Sequence, residues 1–188
     1  MNLPTTSLSI PDGLELITLG AGCFWCTEAV FQRLKGVEKV VSGYSGGFVE
    51  DPSYREICNG TTGHAEVIEV YFDPKVISLE EILEVFWVTH DPTTLNRQGA
   101  DVGPQYRSAI FYNTTSQREI AEKLKGELND SKVFDRPIVT EITAFTNFYP
   151  AENYHQDYYN LNGSQPYCQI VVKPKVDKLK KFFSDRLK

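Results

Sequence analysis

The chain has 188 residues, 41% of them hydrophobic and 23% charged, which suits one folded domain with a real core rather than a disordered or fibrous chain. Its net charge of -6 argues against general binding to nucleic acid or to an anionic membrane. No apolar run approaches the roughly 20 residues of a membrane span, and the N-terminus lacks the charged start and apolar centre of a secretory signal, so a reducing compartment, the cytoplasm, is expected. Four cysteines in this length do not make a disulfide scaffold; in such a compartment they are free, metal-bound or catalytic.

Residues 1–13 read as a loose arm. The apolar run Leu14-Glu15-Leu16-Ile17-Thr18-Leu19 predicts a strand, and a small-residue loop, Gly20-Ala21-Gly22, leads to Cys23. Ala29, Val30, Phe31 and Leu34 then recur at helical spacing, so Cys23 falls where a strand turns into a helix. The unpaired N–H groups of a helix start favour a thiolate there over a thiol. A second strand is expected over 37–44, followed by a polar loop over 48–63 with one short helical turn. Glu66 to Phe72 alternates as a strand, with Glu66, Ile68, Val70 and Phe72 on the core face. Ser78 to Glu81 is a capping box for the next helix.

The segment from His90 to Gln105 is the longest irregular stretch and leads straight into a strand, Tyr106 to Tyr112, which marks it as a functional loop. A helix capped by Thr114 follows to about Leu128, then a strand over 138–145. An aromatic segment with Phe148, Tyr149, Tyr154, His155, Tyr158, Tyr159 and Tyr167 precedes Cys168. A basic amphipathic helix is expected over 174–188, with Val176, Leu179, Phe183 and Leu187 inward. Few strands, several of them alternating, favour an α+β two-layer sandwich over a buried parallel sheet.

Several residues carry possible chemistry. Glu66, at the mouth of an apolar strand face, would be desolvated and its pKa raised, which makes a general acid near neutral pH; from pattern alone, a strand-end carboxylate reaching solvent is the plainer reading. Phe24 and Trp25 would wall a small alkyl or thioether group, or be core residues at a helix start. Tyr54 and Tyr106 offer O–H donors. Cys58 reads as a partly buried small hydrophobe. Cys23 and Cys26 form a Cys-x-x-Cys pair, a redox signature at a helix start. Zinc would need two further well-placed ligands, and no histidine or cysteine is paired at short spacing to supply them.

Together the motifs resemble one family. Gly22-Cys23-Phe24-Trp25, Gly43-Tyr44-Ser45-Gly46-Gly47, Thr62-Gly63-His64-Ala65-Glu66, His90-Asp91-Pro92-Thr93-Thr94, Asn96-Arg97-Gln98-Gly99, Gln105-Tyr106-Arg107-Ser108 and Phe148-Tyr149-Pro150-Ala151-Glu152 with Tyr154-His155-Gln156 stand in the order found in type A methionine sulfoxide reductases. The resemblance covers roughly residues 14 to 175. It implies an α+β, ferredoxin-like two-layer sandwich around a mixed, mainly antiparallel sheet with long loops, forming a single catalytic domain over 1–188. It also implies reduction of the S epimer of methionine sulfoxide, free or in proteins, with Cys23 attacking sulfur and becoming a sulfenic acid. Glu66 matches the family acid, Tyr54 and Tyr106 the tyrosines on the sulfoxide oxygen, Asp101 the carboxylate that arranges them, and Phe24 and Trp25 the pocket for the S-methyl group.

A second thiol would then form a disulfide that thioredoxin reduces. The sequence departs from the commonest pattern at Cys26, where many members have glycine, and it lacks the usual glycine-rich tail after Cys168. Both Cys168 and Cys26 are candidates for the resolving thiol. No metal or organic cofactor is implied, nor a nucleic-acid or membrane partner, and a monomer is expected. The competing readings are a thioredoxin-like disulfide oxidoreductase using Cys23 and Cys26, and a non-catalytic module that binds methionine sulfoxide.

Overall fold

Alternating apolar residues on three adjacent strands determine the architecture. The structure, a computed structural model, describes residues 10–188, so most of the expected N-terminal arm lies outside the described residues. In chain order come β1 (Glu15–Ala21), α1 (Phe24–Phe31), β2 (Val37–Ser45), α2 (Tyr54–Cys58), β3 (Ala65–Phe72) and α3 (Leu79–Val88). A short hairpin, β4 (Arg97–Gln98) and β5 (Asp101–Val102), precedes β6 (Ser108–Tyr112). Then follow α4 (Thr115–Asp130), β7 (Glu141–Ala144), β8 (Tyr149–Pro150), α5 (Tyr158–Asn162) and α6 (Lys173–Phe182).

Six strands form one mixed sheet in the order β7-β6-β1-β3-β2-β8. All neighbours are antiparallel except β6 and β7. The pairing of Leu19 with Ile68 and Ile110 aligns the apolar positions of the three central strands. Ile17, Leu19, Ile68, Val70, Phe72 and Ile110 thereby share one core with Val30 and Phe31 of α1 and with Ile82 and Phe86 of α3. Each large side chain so buried contributes about 1.5–3 kcal/mol. This is the α+β sandwich expected from the sequence.

Several boundaries differ, each for a local reason. All eight residues of β3 are buried, because Phe111 and Phe148 cover the face that alternation assigned to solvent. The expected irregular stretch before Tyr106 contains the hairpin β4/β5. The helix after Cys23 ends at Phe31, and Leu34 instead bridges to Leu187 near the C-terminus. The C-terminal helix ends at Phe182, since Phe183 leaves helical geometry at φ -130°, but Val176, Leu179 and Phe183 are buried as expected.

A buried polar chain ties α3 to the sheet beneath the Cys23 loop. Trp87 Nε1–H donates to Thr140 Oγ1 at 3.0 Å, and Thr140 Oγ1 lies 2.8 Å from Ser108 Oγ. Ser108 Oγ is 2.8 Å from His90 Nε2, and His90 Nδ1 meets the Phe86 carbonyl. The carbonyl can only accept, so Nδ1 carries the proton and every hydroxyl proton points toward Nε2. Burial holds His90 neutral, with its pKa lowered to about 3. Ser108 pairs with Ala21, so this chain underlies the loop that presents Cys23. Thr140→Val keeps the shape, strands the Trp87 N–H and removes the donor to Ser108 Oγ, whose own proton still goes to His90 Nε2. It is expected to cost about 1–3 kcal/mol, read as a lowered midpoint in urea unfolding with an unchanged slope.

Candidate active site

Cys23 is the residue before the first turn of α1, and two features hold it there. Gly22 takes φ +89°, a conformation that side chains rarely adopt, and a Cβ at that position would stand 2.7 Å from Gln98 of β4. The Cys23 carbonyl accepts the Cys26 N–H at 3.1 Å, which starts the helix immediately after the loop. Cys23 is half-buried and Cys26 buried.

Glu66 opens the core face of β3 and is 1% exposed. Its Oε1 accepts the Phe24 N–H at 3.2 Å, so the first free donor of the helix goes to this carboxyl. The strand-end reading, in which the carboxylate reaches solvent, is thereby overturned: β2 and β3 pair through Tyr44 and Glu66, and α1 closes over them. Burial raises the pKa of Glu66 to about 8 against the opposing Phe24 hydrogen bond, and the Asp101 charge adds to the rise. Glu66 is therefore mostly a carboxylic acid at neutral pH.

The expected thiolate at Cys23 is also corrected. Burial pushes the thiol well above its ordinary value, and the Glu66 and Cys26 charges add to this; the Trp25 N–H and the Tyr167 hydroxyl oppose it. The helix start does act on the sulfur through the Trp25 N–H, but burial outweighs it.

Tyr54 begins α2 behind a complete capping box, Ser53 with Glu56, and its backbone N–H donates to Glu152 Oε2 at 3.1 Å. Tyr106 ends a 3-10 turn from Pro104 that Arg107 secures by donating to the Pro104 carbonyl and pairing with Glu141. Burial first, then the Glu66 charge, raises both phenols, so each keeps its O–H proton. Asp101 does not hydrogen-bond these two tyrosines; its Oδ2 accepts the Tyr167 O–H at 2.9 Å. Cys58 is exposed, not partly buried, because it ends α2 at the surface.

Phe24 is buried among Tyr44 and His155, whereas Trp25 is half-buried. Trp25 stacks on Tyr158 with ring centres 3.7 Å apart and an interplanar angle of 6°, and its Nε1–H donates to His155 Nδ1 at 3.1 Å. Buried Glu28 holds this arrangement by accepting the Tyr158 N–H and the Ser42 hydroxyl, each at 3.2 Å. His155, Tyr158, Tyr167 and Glu28 went unassigned in the sequence reading. The aromatic run marks His155, Tyr158 and Tyr167, and the Tyr154-His155-Gln156 motif also marks His155, whereas nothing local marks Glu28.

A cleft of about 90 Å³ opens beside Cys23, walled by Cys26, Gln98, Asp101, Tyr167 and Lys175. Burial raises Cys26, and the Lys175 ammonium offsets part of that rise. Cys168 does not line this cleft. It is fully buried on a π-helical turn (Cys168–Val172), packed with Cys26, Ala29 and Val176. A soft nucleophile, an adjacent buried acid and two phenol donors suit attack on a polar, oxygen-bearing sulfur whose oxygen must leave protonated. Since Glu66 ionises at about 8, it is a carboxylate in the range where Cys23 loses its proton. Glu66→Gln removes that repulsion and is expected to lower the alkylation midpoint of Cys23, followed by mass spectrometry of its peptide across pH. An unchanged midpoint would show that the carboxylate does not act on the sulfur.

The peptide methionine sulfoxide reductase family matches residues 15–187. A peptide methionine sulfoxide reductase MsrA from Chromobacterium violaceum is 52% identical over 174 residues, covering 93% of this chain and 99% of its own. The reduced form of Mxr1 from Saccharomyces cerevisiae superposes with a TM-score of 0.80 at 37% identity, covering 87% of this chain and 94% of that one. Mxr1 has also been solved in complex with Trx2, and that chain matches with a TM-score of 0.57 at 29% identity, over 82% of this chain and 91% of that one. With the family match spanning nearly the whole chain and the fold shared, the chain belongs to the peptide methionine sulfoxide reductases, as an oxidoreductase of the MsrA type.

Proposed function

We propose that the chain reduces the S epimer of methionine sulfoxide, free or in proteins, with Cys23 as nucleophile and Glu66 as general acid. The observation that carries the reading is the buried carboxyl of Glu66, bonded to the N–H of the residue after Cys23 and protonated at neutral pH. Cys23 sulfur attacks the sulfoxide sulfur while Glu66 protonates the sulfoxide oxygen; the proton lost by the Cys23 thiol replaces the one Glu66 has given, and the S–O bond to methionine breaks as the hydroxyl passes to Cys23. Tyr54 and Tyr106 donate hydrogen bonds to that oxygen as its negative charge grows. Phe24 and Trp25 hold the S-methyl group. Asp101 acts through Tyr167, orienting its hydroxyl near Cys23. Methionine leaves, and the oxygen remains on Cys23 as a sulfenic acid, so two electrons pass from the cysteine sulfur to the methionine sulfur.

Cys26 then captures the sulfenic acid, forming a Cys23–Cys26 disulfide and releasing water. Sharing a cleft and a helical turn with Cys23 favours it over Cys168, which is buried behind it. Thioredoxin returns both thiols by exchange, as the pairing of Mxr1 with Trx2 suggests for this chain too. No helix among the described residues is long and apolar enough to cross a membrane. Four free cysteines suit the reducing cytoplasm, and one chain carries every group the reaction uses, so a single catalytic domain acting as a monomer suffices.

With dithiothreitol as reductant and the separated epimers of N-acetyl methionine sulfoxide amide, the protein should turn over only the S epimer, and Cys23→Ser should abolish turnover. No turnover of either epimer would sink the assignment. In single-turnover experiments Glu66→Gln should slow methionine formation by about 10²–10⁴-fold, the range of a lost general acid; an unaltered rate removes that role. With thioredoxin as reductant, Cys26→Ser should abolish multiple turnover, while Cys168→Ser should retain it. The reverse pattern would assign capture to Cys168.

A further inference from the structure

The cleft beside Cys23 does not end at Lys175. A larger groove of about 500 Å³ shares Gln98 and Lys175 with it and extends toward the turn after α4. Its charged walls are Arg136, Lys175 and Lys178 on one side of the balance, Asp91 and Asp135 on the other. Among the described residues, none of the three cations belongs to an ion pair. Asp91 accepts the Thr93 N–H at 2.9 Å and the Thr93 hydroxyl at 2.6 Å, and these bonds together with the Arg136 charge keep it ionised, so three cations stand against two carboxylates. His90, also on the wall, adds no charge, since both ring nitrogens are committed to Phe86 and Ser108. Exposed Val133 and half-buried Phe134 supply apolar surface beside the cations. A net positive groove thus adjoins the reactive cysteine of a chain whose overall charge is -6.

We propose that this groove receives the polypeptide flanking the oxidised methionine and favours substrates with an acidic residue there. This rests on the reductase chemistry at Cys23. Continuity with the cleft supplies a path, because Gln98 and Lys175 line both hollows and Cys23 lines the smaller one. Charge supplies the selection. Lys175 and Lys178 lie three residues apart on α6 and so face the same way, with Arg136 across the groove from them on a separate segment.

The test uses heptapeptides with one central S-epimer methionine sulfoxide, flanked by Asp, Asn or Lys, with dithiothreitol as reductant and N-acetyl methionine sulfoxide amide as control. The Asp peptides should show kcat/KM roughly two- to fivefold above the Asn peptides, the scale of an exposed charge pair, with the Lys peptides below both and the differences shrinking in high salt. Arg136→Glu with Lys178→Glu should invert the order while leaving the amide unchanged, and Arg136→Ala with Lys178→Ala should flatten it. Equal kcat/KM across the peptides, or a preference that survives both double substitutions, overturns the groove. With thioredoxin in place of dithiothreitol, an effect of the double substitutions confined to the KM for thioredoxin also overturns it, by making the groove a reductant dock. Amide turnover intact without flank preference removes the groove alone, whereas no amide turnover by the unsubstituted protein removes the chemistry and the groove together.

Discussion

The hydrogen bond from the Phe24 N–H to the Glu66 carboxyl joins the start of α1 to the edge of the core. It brings the acid to the residue beside the nucleophile, and it does so inside an apolar layer where the carboxyl is more stable protonated. That one contact sets the electrostatic state of the site. A charged carboxylate there would repel a thiolate; a carboxylic acid does not, and it is also the form able to give up a proton. The raised pKa of Cys23 follows from the same burial, so one apolar enclosure favours the protonated form of both the Glu66 carboxyl and the Cys23 thiol.

The rest of the fold keeps that contact in place. Leu19 pairs with Ile68, and Ala21 with Ser108, which brings β1, β3 and β6 together under the Cys23 loop. The neutral chain Trp87–Thr140–Ser108–His90 anchors the same point from below. From the other side, the segment after β8 returns across β2. Gln156 bonds both the N–H and the carbonyl of Ser42, much as another strand would, and Glu28 secures Tyr158. These contacts fix the aromatic plane on which Trp25 lies. Two buried carboxylates thus do different work. Glu28 accepts several hydrogen bonds and serves as an anchor, while Glu66 has one recorded hydrogen bond and is free to titrate near neutrality.

The cysteines are graded by position. Cys23 meets the cleft, Cys26 stands one helical turn deeper in the same cleft, and Cys168 lies behind it in an apolar cluster. Cys58 is exposed at the end of α2. Lys175 brings a cation to Cys26 and lines both the cleft and the larger groove beyond it.

By itself the sequence determined what local rules govern. The strand–loop–helix around Cys23, the alternation of β3 with Glu66 on its core face, the capped helices and the ordered motifs of the family are all carried by near neighbours and by spacing. What it left open depended on residues far apart in the chain. Whether Glu66 reaches solvent is decided by α1 closing over β2 and β3, 42 residues away along the chain from Phe24 to Glu66. Whether Cys23 is a thiolate is decided by burial and by the charge of Glu66, which the fold brings beside it. The partners of Trp25 and Asp101, His155 and Tyr167, arrive from 130 and 66 residues away. Periodicity shows which face of an element is apolar; only packing shows what covers that face, and desolvation, which sets the chemistry here, is a property of the cover.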